Sequence, residues 1–117
     1  MFRFESLDIW QLAIQFGEKL FEVSDQFPQH AQYNLGNQLR SAALSISNNI
    51  AEGSGSESKF EFKSFLNYSI RSTYETASIL FFARNRNYLI ESRFKELYSE
   101  SEILARKIRT FRKVLGN

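Results

Sequence analysis

Apolar residues recur every three or four positions along almost the entire chain, interrupted at Phe27-Pro28, at Gly53-Ser54-Gly55-Ser56 and at a short link from Asn87 to Ile90. That spacing puts apolar side chains on one side of an α-helix, and no strand-type alternation competes with it. Pro28 is the sole proline in 117 residues, so almost nothing stops the helices from running long. The fold class is therefore read as all-α.

The first helix is expected over residues 7–26, where Trp10, Ala13, Ile14, Gly17, Leu20 and Phe21 form one stripe. Phe27-Pro28 ends it, because the residue before a proline is pushed out of the helical region. A second helix is expected over residues 33–52, with Leu35, Leu39, Ala42, Ala43, Ile46 and Ile50 near one face and the two glycines marking its end. Ser58-Lys59-Phe60-Glu61 matches a capping box and opens a third helix over residues 58–86, in which Phe62, Leu66, Ile70, Thr73, Ala77 and Leu80 keep helical register. Phe94, Leu97, Ser101, Leu104, Ile108 and Leu115 define a fourth over residues 91–116. Such helices are roughly 30 to 45 Å long, and short connections between them give an antiparallel, up-down-up-down four-helix bundle.

A chain of 117 residues fits one domain, 1–117, and its 43% apolar and 24% charged residues are ordinary for a globular protein. With no cysteine, disulfides and thiolate metal sites are excluded. The opening Met1-Phe2-Arg3-Phe4-Glu5 does not read as a secretory signal. The longest strictly apolar run, Ile79 to Ala83, falls far short of the roughly 20 residues that cross a bilayer. A cytoplasmic protein without a membrane partner is expected.

The chemistry most often built into helical bundles, a di-iron site, needs two Glu-x-x-His pairs, and the one histidine, His30, lies in a turn. A Ser-His-acid triad fails on the same residue. Gly53-Ser54-Gly55 follows a helix instead of joining a strand to one, so it is no phosphate loop. No metal, no cofactor and no catalytic residue is expected; the chain is read as a non-enzyme.

Three polar or aromatic groups remain. Asn48, Asn49 and Glu52 close the second helix and need partners. Across an antiparallel turn Glu52 is expected near Lys59 or Lys63, and Arg40 near Glu75, as a network fixing the register, with a ligand or partner site as the alternative. Charge is uneven: residues 1–83 carry six Lys and Arg against nine acids, whereas residues 84–117 carry nine against four. Arg106, Lys107, Arg109, Arg112 and Lys113 spread over a broad arc of the fourth helix, and Arg84, Arg86 and Arg93 extend it around the preceding turn. These cations either stabilise a helix C-terminus and are solvated, or contact phosphates. Finally, Phe60, Phe62, Phe81 and Phe82 cannot all face one seam, since Phe81 and Phe82 are about 100° apart on a helix. They are read as an oligomer interface, the alternative being a wide core stripe with one exposed Phe.

The run from Gln38 to Gly55, QLRSAALSISNNIAEGSG, resembles the four-helix-bundle family of 23S rRNA-intervening-sequence proteins. Trp10-Gln11, Phe27-Pro28, Tyr33-Asn34-Leu35 and Ser58 to Phe62 support it, so that the likeness covers residues 4 to about 75 and leaves the fourth helix outside. The resemblance implies a homopentamer. It also implies kinship with the accessory variability protein of diversity-generating retroelements, which uses basic surfaces to engage nucleic acid and a reverse transcriptase. Where the family often has Ser-Ile-Pro-Ser, this chain has Ser47 and Asn48 in the third and fourth places, so no proline kink is imposed on the second helix. The function expected is a homo-oligomeric bundle, a pentamer by resemblance, that binds RNA or DNA without base specificity. The alternative is a protein-interaction scaffold with no nucleic-acid role.

Overall fold

A computed structural model describes residues 1–116. Four helices, α1 (Asp8–Asp25), α2 (Asn37–Ser54), α3 (Lys59–Asn85) and α4 (Glu91–Val114), account for most of the chain, and no strand occurs among the described residues. Each packs on the next and α4 returns to α1, closing a four-membered ring in a body of 44 × 22 × 21 Å. The order is antiparallel. Along α3 and α4, Asn67 meets Arg112, Tyr74 meets Arg109 and Arg84 meets Glu91, so numbers rise on one helix as they fall on the other. Lys19 against Glu100 joins α1 to α4.

The core is continuous from end to end. Leu20, Leu39, Ile46, Ile50, Leu66, Leu80, Leu97 and Ile108 are fully enclosed, each contributing roughly 1.5–3 kcal/mol by leaving water. On α1 the buried stripe is Ile9, Ala13, Phe16, Leu20 and Val23, turned slightly from the predicted one: Trp10 and Phe21 lie at its edge, and Ile14 and Gly17 border the groove towards α2. Phe4 packs edge-on against Trp10, with ring centroids 4.8 Å apart.

The helix ends follow local chemistry. After Phe27-Pro28 a 3-10 turn (Gln29–Ala31) and a π-helical turn (Gln32–Gly36) lead straight into α2. The Gln32 amide donates to the carbonyls of Ser24 (2.9 Å) and Phe27 (2.7 Å), satisfying acceptors that the end of α1 leaves open. Arg40 holds Gln32 through its side-chain oxygen and lies 3.2 Å from Asp25. At the start of α3, Ser58 Oγ accepts from the Glu61 N–H at 3.0 Å, but the Glu61 carboxylate turns to Ser56 Oγ instead of reaching back, so half of the predicted capping box forms. Asn87, at φ 64°, ends α3 in the left-handed region, with Tyr88 N–H bonded to Ala83 O and Asn87 N–H to Arg84 O.

Gly53 has a different task from the terminator the sequence suggested. Helix α2 continues through it to Ser54, and a Cβ there would stand 2.7 Å from Phe65 Cβ and 2.8 Å from Phe62 Cδ1. The glycine admits two phenylalanines of α3 against the α2 backbone. The α2–α3 seam is otherwise lined by small polar residues. Ser69 Oγ donates to the Ile46 carbonyl at 2.7 Å, and Ser72 Oγ lies 2.8 Å from Ser45 Oγ. Helix α2 runs uninterrupted past Ser47.

Candidate nucleic-acid interface

The second half of α4 carries its cations on the side away from the core. Leu104, Ala105 and Ile108 are buried and fix the rotation of the helix, which leaves Arg106, Lys107, Arg109 and Lys113 exposed and Arg112 half-buried. At about 100° per residue, Arg106 and Lys113 point outward, Arg109 and Arg112 lean towards α3, and Lys107 leans towards α1. No acidic side chain follows Glu102 in the sequence, and among the described residues none of these five cations is in an ion pair. Two are nevertheless positioned: Arg109 donates to the Tyr74 hydroxyl with its guanidinium 5.3 Å from the ring centre, and Arg112 donates to Asn67 Oδ1.

The remaining three of the eight predicted cations separate from this group. Arg84 lies 3.8 Å from Glu91 and 4.3 Å from the centre of the Phe94 ring, closing the α3–α4 turn. Arg93 is paired with Glu96 at 2.7 Å. Arg86 is exposed, but at the end of the bundle where α4 begins, beside His30, Gln38, Phe82 and Tyr88. The eight therefore do not form one surface. Five do.

The predicted ion-pair staples between α2 and α3 are absent among the described residues. Arg40 turns to Asp25 and Gln32 because it lies about 140° around α2 from Ser45, the residue that meets α3. Glu75 is exposed, and neither Glu52, Lys59 nor Lys63 is in an ion pair. Glu52 is about 100° round from Gly53, which faces α3, and so points into solvent. Serines bridge the two helices in their place, Ser69 to the Ile46 carbonyl and Ser72 to Ser45, whereas Asn49 bonds within α2 to the Ser45 carbonyl at 2.8 Å and Asn48 is exposed. Sequence spacing missed this seam because the signal, a row of small hydroxyl residues on α3, looks like ordinary surface until the neighbouring helix is placed.

The four phenylalanines read as an interface also divide. Phe62 is 2% exposed and packs on Phe111 at 5.6 Å, so it is a core residue. Phe81, 40% exposed, leans on Phe94 and Tyr98. Phe60 (83% exposed) and Phe82 (63%) stand clear of the core near opposite ends of α3. Tyr33, Tyr68, Tyr74 and Ile90 are exposed as well.

Among the described residues no three His, Cys, Asp or Glu side chains come together as a metal site, and His30 lies 2.9 Å from the Tyr88 hydroxyl. No described helix is long and apolar enough to cross a membrane.

Fold and site together define a four-helix bundle with an unpaired polycationic face along the end of its last helix. Residues 5–110 match the family described as 23S rRNA-intervening sequence protein, and the chain belongs to that family. The match reaches further than the sequence motifs suggested. It takes in most of α4, including Arg106, Lys107 and Arg109, and stops short of Arg112 and Lys113. A comparison with curated proteins gives no match.

Proposed function

We propose that this chain is a non-enzymatic, homo-oligomeric bundle, a pentamer, whose α4 face binds RNA or DNA through phosphates and without regard to base sequence. The observation that carries this reading is the set of five cations from Arg106 to Lys113, none of them in an ion pair among the described residues. Cations that only stabilised a helix end would belong in its last turn, where Arg112 and Lys113 alone lie. A polyanion gains more from such a face, because each phosphate neutralised releases condensed counterions. Assembly multiplies the effect, since identical faces repeated around a ring add their fields. Phe60 and Phe82, aromatic and uncovered in one protomer, supply apolar surface for that assembly.

Charge reversal tests the reading. A protein carrying Arg106→Glu, Arg109→Glu and Lys113→Glu is expected to lose retention on immobilised RNA at low salt while keeping the mass of the assembled species in light scattering. Undiminished retention would remove α4 from the site. A scaffold role without nucleic acid draws on the apolar end formed by Leu35, Phe82 and Tyr88, and it would be favoured if the triple variant behaved like the parent in every respect.

A further inference from the structure

We propose that the groove between α3 and α4 is a site for single-stranded nucleic acid, in which an unpaired base stacks on Tyr74 while Arg106, Arg109 and Arg112 hold the adjoining phosphates. This rests on the nucleic-acid reading above and adds to it the form of polynucleotide selected.

The groove encloses about 350 Å³. That is the scale of a small-ligand site, roughly 300–1,000 Å³. Thr73 and Ala77 from α3 and Ser101 and Ala105 from α4 leave it open because their side chains are small. Tyr74 and Tyr98 also line it, and Glu102, Arg106 and Arg109 stand at its α4 side. Tyr74 is 60% exposed yet tethered, with its hydroxyl accepting from Arg109 and the guanidinium against its ring. An aromatic ring already held in place loses little freedom when a partner stacks on it. Asn67 and Arg112 prolong the polar and cationic line about two turns along α3.

Charge and shape select against a duplex. A double helix offers phosphates to the outer cations but keeps its base faces stacked inside, leaving Tyr74 without a partner. A single strand turns its bases out, and every base has a face to stack. Glu102 reinforces this: its carboxylate repels a phosphate from the groove and accepts hydrogen bonds from the amino groups of bases. A surface meant only for phosphates has no use for an acid at that place.

The test measures fluorescence anisotropy of a short mixed-sequence strand, offered as DNA and as RNA to show which backbone is taken, and of the duplex of equal length. Tyr74→Ala, Tyr74→Phe and the pair Arg106→Glu/Arg109→Glu are compared, each checked for intact helicity by circular dichroism. The parent is expected to prefer the single strand. Tyr74→Ala is expected to weaken single-strand binding by roughly 5- to 150-fold, the range for loss of one stacked base, and duplex binding by less than about twofold, while Tyr74→Phe, which keeps the ring but not its tether, falls between the parent and Tyr74→Ala. If Tyr74→Ala leaves single-strand binding unchanged, or weakens strand and duplex alike, the stacking site is overturned. Should the arginine pair variant lose both ligands in that case, the phosphate-binding face survives without it; should that variant lose neither, both readings fall.

Discussion

At the scale of single residues, two positions in the α2–α3 seam show what the packing demands. A methyl group at Gly53 would meet the Cβ of Phe65 and the ring of Phe62, the latter anchored in the core, at distances real side chains do not reach. Gly53→Ala gains helix propensity, worth up to about 1 kcal/mol, and loses more by forcing α3 away from α2. A net destabilisation of about 1–3 kcal/mol is expected in urea unfolding. Thr76 presents the opposite case. It is fully buried, and its hydroxyl finds no partner among the described residues while Ser69, Ser72 and Thr73 nearby are all bonded. Thr76→Val removes an unsatisfied polar atom at nearly constant volume and is expected to raise stability by about 1 kcal/mol, read as a higher thermal midpoint.

Among the elements, α3 departs furthest from a simple amphipathic helix. Its core stripe, from Phe62 to Ala83, is interrupted by hydroxyl residues, and Phe60 and Phe82 lie outside that stripe. Those two rings are mostly exposed in the protomer. Phe60→Ser with Phe82→Ser is expected to leave the thermal midpoint of the protomer fold within a few degrees and to shift the light-scattering mass from the assembled species towards the 13.7 kDa protomer. An unchanged mass would place the interface on other surfaces. The existence and order of the four helices were legible in the sequence, because a period of three to four runs through them and Pro28 and the Gly53–Ser56 stretch punctuate it. Contacts between helices were not. Phe60 and Phe62 are two positions apart on one helix, and which of them is buried depends on where α2 and α4 sit. Arg40 is the same kind of case: distance along antiparallel helices pointed to Glu75, but the rotation of α2 turned it to Asp25. The basic set was legible as composition, but its division, with five unpaired cations at the end of α4, Arg84 and Arg93 in ion pairs and Arg86 exposed at the other end of the bundle, required the positions of Glu91 and Glu96.

On the scale of the whole molecule, charge is distributed asymmetrically. Acidic and basic side chains answer one another at the α3–α4 turn and along the α1–α4 side, where Lys19 meets Glu100 and Arg93 meets Glu96, whereas the far end of α4 is left positive. A bundle stabilised by its apolar core does not need that face, and repetition around a ring would make it the dominant feature of the assembly's surface. The most direct test is the dependence of single-strand affinity on salt. If three to five of these cations meet phosphates, log K falls against log salt with a slope of about −2 to −3.5 per protomer engaged, a loss of roughly 15- to 130-fold between about 50 and 200 mM. A slope near zero, or affinity that persists unchanged at high salt, would contradict the account.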